Sequence, residues 1–371
     1  MPINQDSNES AIITSWWDFG HHFKAIAERR VTFDGTTQTS PAAHWVGKLL
    51  MTDNEVQAVG ILRMLDCGHN RAFESLSKLN NDAHKSLKIL NEVILLDKEK
   101  ARQRLLGYKI SAEQTDEIIS YTHCEPPEAY FIASEDMIGK SGVWSHFGSW
   151  NFERADIWQN ARKMPQEKAV EYMMKKFNYT KERAENTYFE MQSITSDSEA
   201  NTWIAPWPGY GGTMGCSKNK EDIYICSNGF QINQSNYDIS AVGQQGIVRP
   251  RTAAFTTEDG IFIKQFNGST IDIGLTIIPK NENELEVVLS SKELTAGMFT
   301  RMFYMQGHGL KYFKLFDHQR GLTGTDIYTY KIDWEGKNTT IVQDYLKKPT
   351  KEEVITEDMP LTTINDTNNS S

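Results

Sequence analysis

The sequence predicts an α+β protein: a mainly helical core domain, an all-β module inserted into it, and a disordered C-terminal tail. Three observations carry that prediction. Apolar residues recur at spacings of three and four through the first two hundred positions. Between Ile223 and Leu289 the period falls to two. Helical spacing then returns with Met298, Met302 and Met305. The divisions expected are residues 10–200 for the first part of the core, 201–291 for the β-rich insert, 292–336 for the second part of the core, and 337–371 for the tail.

Taken in order, Ser15 with Asp18 three residues on reads as a variant capping box. It opens a helix to about Arg30, with Phe19, Phe23 and Ile26 along one side. Trp16 and Trp17 complicate that helix. Successive helical residues point about 100° apart, so one narrow stripe does not bury both indoles. At least one ring, with Asp18, is then free to face something else. Residues 33–41 read as a turn and loop. Thr52-Asp53-Asn54-Glu55 is a capping box opening a helix to about Leu65, with Gly68 as its stop.

Ala83, Leu87, Leu90 and Ile94 form a helical stripe. Asp97 starts a short helix ending at Gly107, and Ser111 with Gln114 caps another that stops before Pro126-Pro127. Residues 130–133 are a buried strand that runs into an acidic, glycine-containing segment, 134–150. There Asp136 and Lys140 stand one helical turn apart, a spacing that suits a plain surface ion pair as well as a functional site. Pro165 and Thr180 open two more helices. Residues 197–201 are read as a polar break and 203–216 as an irregular connection. In the insert, Ile271, Ile273, Leu275 and Ile277 alternate with polar residues, as do Leu285, Val287 and Leu289. Residues 312–316 and 328–334 are the closing strands.

Composition narrows the function. Thirty-nine basic against forty-nine acidic side chains give a net charge of −10, which argues against nucleic acid or an anionic membrane as partner. No apolar run reaches the length of a membrane-spanning helix, and the polar N-terminus shows no secretory signal. Asn-x-Ser/Thr occurs at Asn8, Asn178, Asn233, Asn267, Asn338, Asn365, Asn368 and Asn369, where about three would arise by chance. The cysteines Cys67, Cys124, Cys216 and Cys226 lack zinc-site spacing. Cys216 with Cys226 could close a hairpin and Cys67 with Cys124 could tie two helical segments; free buried thiols are the other reading.

A catalytic set is hard to assemble. The chain has no phosphate-binding glycine loop, no Gly-x-Ser-x-Gly elbow and no His-Glu-x-x-His. No spacing selects a pair of acids for glycoside chemistry. His21 and His22 lie beside Asp18, but neighbouring helical side chains diverge, which favours surface or packing roles over a metal site. The residues point to binding rather than to an active centre.

Trp16-Trp17-Asp18-Phe19-Gly20 resembles the Trp-Trp-Asp-Tyr-Gly signature of the catalytic subunit of oligosaccharyltransferases, the membrane enzymes that transfer a lipid-linked glycan to Asn. Residues 134–150 resemble the second signature of the archaeal branch, an Asp-to-Lys segment on a neighbouring helix. Residues 298–334 resemble the closing part of that family's central core. The resemblance spans about residues 10–335 and includes the order of the parts. Phe19 stands in place of the usual tyrosine. Asp136 and Lys140 are four apart, with Met137 beside the acid, where one common form of the motif has a spacing of three.

The resemblance implies a pocket for the Ser/Thr hydroxyl of an Asn-x-Ser/Thr acceptor, formed by Trp16, Trp17 and Asp18 and lined by Met137, Ile138 and Lys140, with Phe19, Gly20 and Asp136 in support. A carboxylate that accepts the hydroxyl proton and an indole N–H that donates to its oxygen suit that task. The resemblance also implies that the chain is the extracytoplasmic portion of a cell-membrane enzyme. The Mn or Mg ion and the lipid-linked oligosaccharide site would belong to a transmembrane region absent from this chain, which alone would not transfer glycan. Two other readings compete: a secreted carbohydrate-binding protein using exposed Trp16, Trp17, Trp203 and Trp207, and a structural envelope protein.

Overall fold

The computed structural model describes residues 7–345, apart from 222, 245, 269, 270, 322, 323, 338, 343 and 344. Of the tail expected over 337–371, residues 346–371 lie outside the described residues, whereas Thr340 exchanges backbone hydrogen bonds with Gly309 and Leu310, so the disordered reading is wrong there. The chain opens with strand β1 (Ile12–Thr14), a 3-10 turn Trp17–Phe19, a helix Gly20–Ala27 and strand β2 (Arg30–Val31). Helices Pro41–Met51, Glu55–Gly68, Arg71–Asn80, Ala83–Val93, Lys98–Gly107 and Ala112–Thr122 lead to β3 (Ala129–Ser134). Short helices Asp136–Gly139 and Ser141–Gly148 follow, then Phe152–Ala161, Gln166–Phe177, Lys181–Gln192 and Asp197–Ile204. Strands β4 (Tyr210–Lys218), β5 (Tyr224–Cys226), β6 (Gln231–Asn233), β7 (Asp238–Gly243), β8 (Gly246–Val248), β9 (Thr252–Thr257), β10 (Gly260–Gln265), β11 (Ile273–Asn281) and β12 (Glu284–Ser291) come next. Helix Met298–Phe303, β13 (Phe313–Arg320) and β14 (Asp326–Ile332) complete the order. The α+β class expected from the sequence is therefore borne out, with a helical and a β-rich region.

Two sheets result. One runs β13-β14-β3-β1-β2, so the last two strands return to pair with the first three across the whole β-rich region. The other has nine strands in the order β10-β9-β11-β12-β4-β5-β6-β7-β8. The larger core packs helices against one face of the five-stranded sheet through Trp16, Trp45, Phe131, Trp144, Phe299 and Phe313. The alternation of a strand sends the neighbouring side chains of β3 the other way. Tyr130 and Ile132 pack with Ile13, Phe23 and Ala27, so helix Gly20–Ala27 covers the opposite face. The helices of residues 152–204 keep a small core of their own around Ile157, Met173, Ala184 and Met191.

Local chemistry explains most helix starts. Asp82, Asp97, Ser111 and Thr180 each accept the N–H three residues on, satisfying a donor that the first turn leaves open. Several expectations need correction. Ser15 is no cap: it follows strand β1, and its hydroxyl donates to the Ile132 carbonyl at 3.0 Å. The helix after it starts at Gly20, stops at Ala27 and leaves Ile26 63% exposed. The loop read over 33–41 is followed at once by helix Pro41–Met51, capped by Ser40. Asn54, rather than Thr52, caps the next helix. The polar break at 197–201 is the first turns of a helix capped by Ser196, whose Ala200 and Ile204 are buried. The irregular connection contains β4, paired with β12 so that Met214 faces Val287 and Cys216 faces Leu285.

All four cysteines are joined. Cys67 bonds Cys124, tying the end of Glu55–Gly68 to the residues after Ala112–Thr122, and Cys216 bonds Cys226 across β4 and β5. No helix among the described residues is long and apolar enough to cross a membrane.

Candidate functional site

Strands β1 and β3 are parallel neighbours, with Thr14 opposite Phe131. Parallel pairing puts both C-terminal ends at the same edge, where open sheets commonly present binding residues. The residues leaving β1 there are Ser15 to Asp18; those leaving β3 are Glu135 to Lys140. Ser15 fastens the two exits together through Ile132, with its Oγ also 3.9 Å from Met137 Sδ. Two segments far apart in the chain thus meet as a consequence of one register.

Lys140 is where they join. Its Nζ lies 3.0 Å from Asp18 Oδ1 and 2.8 Å from Asp136 Oδ2. Asp136 is held in turn by a hydrogen bond from the Ser134 hydroxyl. Burial works against the Lys140 ammonium, but the hydrogen bonds to Asp136 and Asp18 outweigh it and raise the pKa. The surface-pair reading of Asp136 and Lys140 is correct as far as it goes; it lacked Asp18. The second carboxylate oxygen of Asp18, Oδ2, is shielded from solvent and has no hydrogen-bond partner. Such an acceptor costs about 1–3 kcal/mol when left unpaired.

The aromatic residues divide the burial between them. Trp16 is 1% exposed, while Trp17 is half-buried. Their rings lie 4.4 Å apart, and Phe33 and Phe147 pack on both: Phe33 at 5.2 and 5.6 Å, Phe147 at 6.2 and 5.9 Å. Phe19 is 37% exposed, with the Lys140 ammonium 5.6 Å from its ring centre. Gly20 is required by contact: a Cβ there would stand 2.5 Å from Asp34 Cβ and 2.6 Å from the Phe33 carbonyl oxygen. Met137 is buried beneath the turn, its carbonyl accepting the Trp144 indole N–H at 2.9 Å, so it supports the site from below. Ile138 is half-buried against the same core.

Phe33, Phe147 and Ser134 are the partners that sequence reasoning did not assign to the site. Phe33 sits in a turn signal and Phe147 in a glycine-flanked aromatic run, and neither pattern points to Trp17. The four tryptophans offered for carbohydrate stacking do not act together. Trp16 is interior, the Trp203 indole N–H donates to Glu190 at 3.1 Å, and Trp207 lies flat on His146 at 3.7 Å. Among the described residues no group of three or more His, Cys, Asp or Glu side chains could hold a metal, His21 and His22 included.

This α+β chain, which brings a Trp-Trp-Asp turn against an Asp–Lys segment, is similar over part of its length to glycotransferases of archaea. Specifically, it is 40% identical over 156 residues to the dolichyl-phosphooligosaccharide-protein glycotransferase of Methanocaldococcus jannaschii. It is 35% identical over 156 residues to the protein of the same name in Methanococcus voltae. Each match covers 40% of this chain but 17% of the relative, so the chain spans only a small part of their length. No protein-family model matches. Among solved structures, the C-terminal domain of C. jejuni PglB aligns over 89% of this chain and 97% of that domain, with a TM-score of 0.40 and 12% identity.

Proposed function

We propose that this chain is the part of an archaeal-type oligosaccharyltransferase that reads the Ser/Thr of an Asn-x-Ser/Thr acceptor. The observation that carries the proposal is the shielded, unpartnered Oδ2 of Asp18. Lys140 fixes Oδ1, which leaves Oδ2 to accept the acceptor hydroxyl proton. The indole N–H of Trp17, which no described residue accepts, is available to donate to the hydroxyl oxygen, and the aromatic wall takes the Thr methyl. A site built around a hydroxyl rejects a side chain without one, because its own polar groups then stay unpaired.

The acceptor polypeptide and a lipid-linked oligosaccharide are the substrates proposed for the complete enzyme. In this reading the Mn or Mg ion is held by other parts of the enzyme, since the described residues offer no group of three or more ligands for it, and this chain alone is proposed to bind without transferring glycan. The two disulfides support an extracytoplasmic location at the cell membrane.

The test is a titration of the purified chain with peptides that differ only at the third position. An Asn-x-Thr peptide should bind at least about tenfold more tightly than Asn-x-Ala, the value of one hydrogen bond to a charged group. Equal affinity for the two peptides contradicts the proposal.

A further inference from the structure

Helix Pro41–Met51 carries His44 and Lys48 one turn apart on a common face. That face borders an open cavity of about 770 Å³, lined also by helix Ala83–Val93 and by residues 148–153. The charges around it are unevenly committed. Glu153 is engaged by His84 at 3.1 Å, by the Tyr179 hydroxyl at 2.7 Å and by Arg183 at 3.5 Å. Glu92 accepts from the Tyr108 hydroxyl at 2.8 Å. Lys48 Nζ, by contrast, has neither an acceptor nor a counter-ion among the described residues, although burial lowers its pKa. A desolvated ammonium without a partner is unfavourable, and an anion in the cavity would relieve it.

Two acceptors are also unused. His44 Nδ1 lies 2.9 Å from the Phe147 carbonyl oxygen, so the ring must carry its proton there. Burial, reinforced by the charge of Lys48 and opposed by that hydrogen bond, lowers the His44 pKa to about 4. The ring is therefore neutral at pH 7, and Nε2 is left as an acceptor. Asn91 Oδ1 is shielded from solvent with no partner. Leu87 and Trp150 supply apolar wall.

We propose that this cavity binds a small hydroxylated carboxylate, its carboxylate paired with Lys48 and its hydroxyls donating to His44 Nε2 and Asn91 Oδ1. Neither a bare anion nor a neutral polyol uses both halves of the site. Lys88, on the exposed rim, adds positive charge at the entrance.

Isothermal titration of the whole chain with gluconate, sorbitol and acetate separates the two contributions. Gluconate should bind saturably, and sorbitol and acetate each at least about tenfold more weakly. Lys48→Met should weaken gluconate by a similar factor while near-UV circular dichroism stays unchanged. Lys88→Gln, at an exposed position, should weaken it less, and it decides the matter if Lys48→Met does not fold. Absence of saturable gluconate binding overturns the proposal. So does sorbitol or acetate binding as tightly as gluconate, or gluconate binding that neither variant alters.

Discussion

The two carboxylate oxygens of Asp18 stand in unlike surroundings. Oδ1 is paired with Lys140, while Oδ2 is shielded and unpartnered. Gly20, two residues on, is a purely steric requirement. Gly20→Ala would drive a methyl group into Asp34 and the Phe33 carbonyl, where backbone must give way. Overpacking of this kind costs about 1–3 kcal/mol, so the variant should unfold at lower denaturant concentration while Ala variants at exposed positions do not. Asp66 gives a pH-dependent prediction. Burial raises its pKa to about 7, against the opposing effects of the Thr32 hydroxyl and Arg30. The folded state therefore holds a proton that the unfolded chain releases near the ordinary carboxylate range. Its contribution to stability is complete below that range and is lost as pH rises through about 7. Thermal midpoints should fall between mildly acid and mildly alkaline pH, and Asp66→Asn should flatten that slope. An unchanged slope in the variant would assign the pH dependence to other groups.

Elements differ in how far they disclose themselves. The helices opened by Asp97, Ser111 and Thr180 were legible, because these caps satisfy local donors that only a helix leaves open. Those opened by Ser40 and Ser196 carry the same kind of cap but were hidden by the polar, turn-like residues around it. β1 and β2 were not. Three and two residues long, they carry no period of their own and exist because β3 and the core hold them. β4 was hidden by its three glycines, Gly211, Gly212 and Gly215, where pairing to β12 overrides propensity. The disulfides make an element-scale prediction. Cys67–Cys124 closes a span of 57 residues and should contribute about 4 kcal/mol by restricting the unfolded chain, whereas Cys216–Cys226, at a separation of 10, should contribute about 3 kcal/mol. Urea titration of the paired Ser variants should show the larger loss at Cys67 and Cys124. The reverse order would mean that native-state effects dominate.

At the scale of the whole molecule, the site depends on a sheet that spans the chain. The Trp-Trp-Asp turn and the Asp–Lys segment each stood out in the sequence, and the resemblance joined them by family pattern. Their contact through Lys140 could not be read there, because it follows from β1 and β3 lying parallel in a particular register. The same sheet is closed by β13 and β14 from the far side of the β-rich region, so the edge that carries Asp18 and Lys140 is braced by residues from both ends of the fold. The central claim is that Asp18 Oδ2 receives the acceptor hydroxyl. A double-mutant cycle tests it most directly: wild type and Asp18→Asn, each titrated with Asn-x-Thr and Asn-x-Ala peptides. The account predicts a preference for Thr of at least about tenfold in wild type that disappears in Asp18→Asn, with little change in affinity for the Ala peptide. A Thr preference that survives unchanged in Asp18→Asn would contradict it.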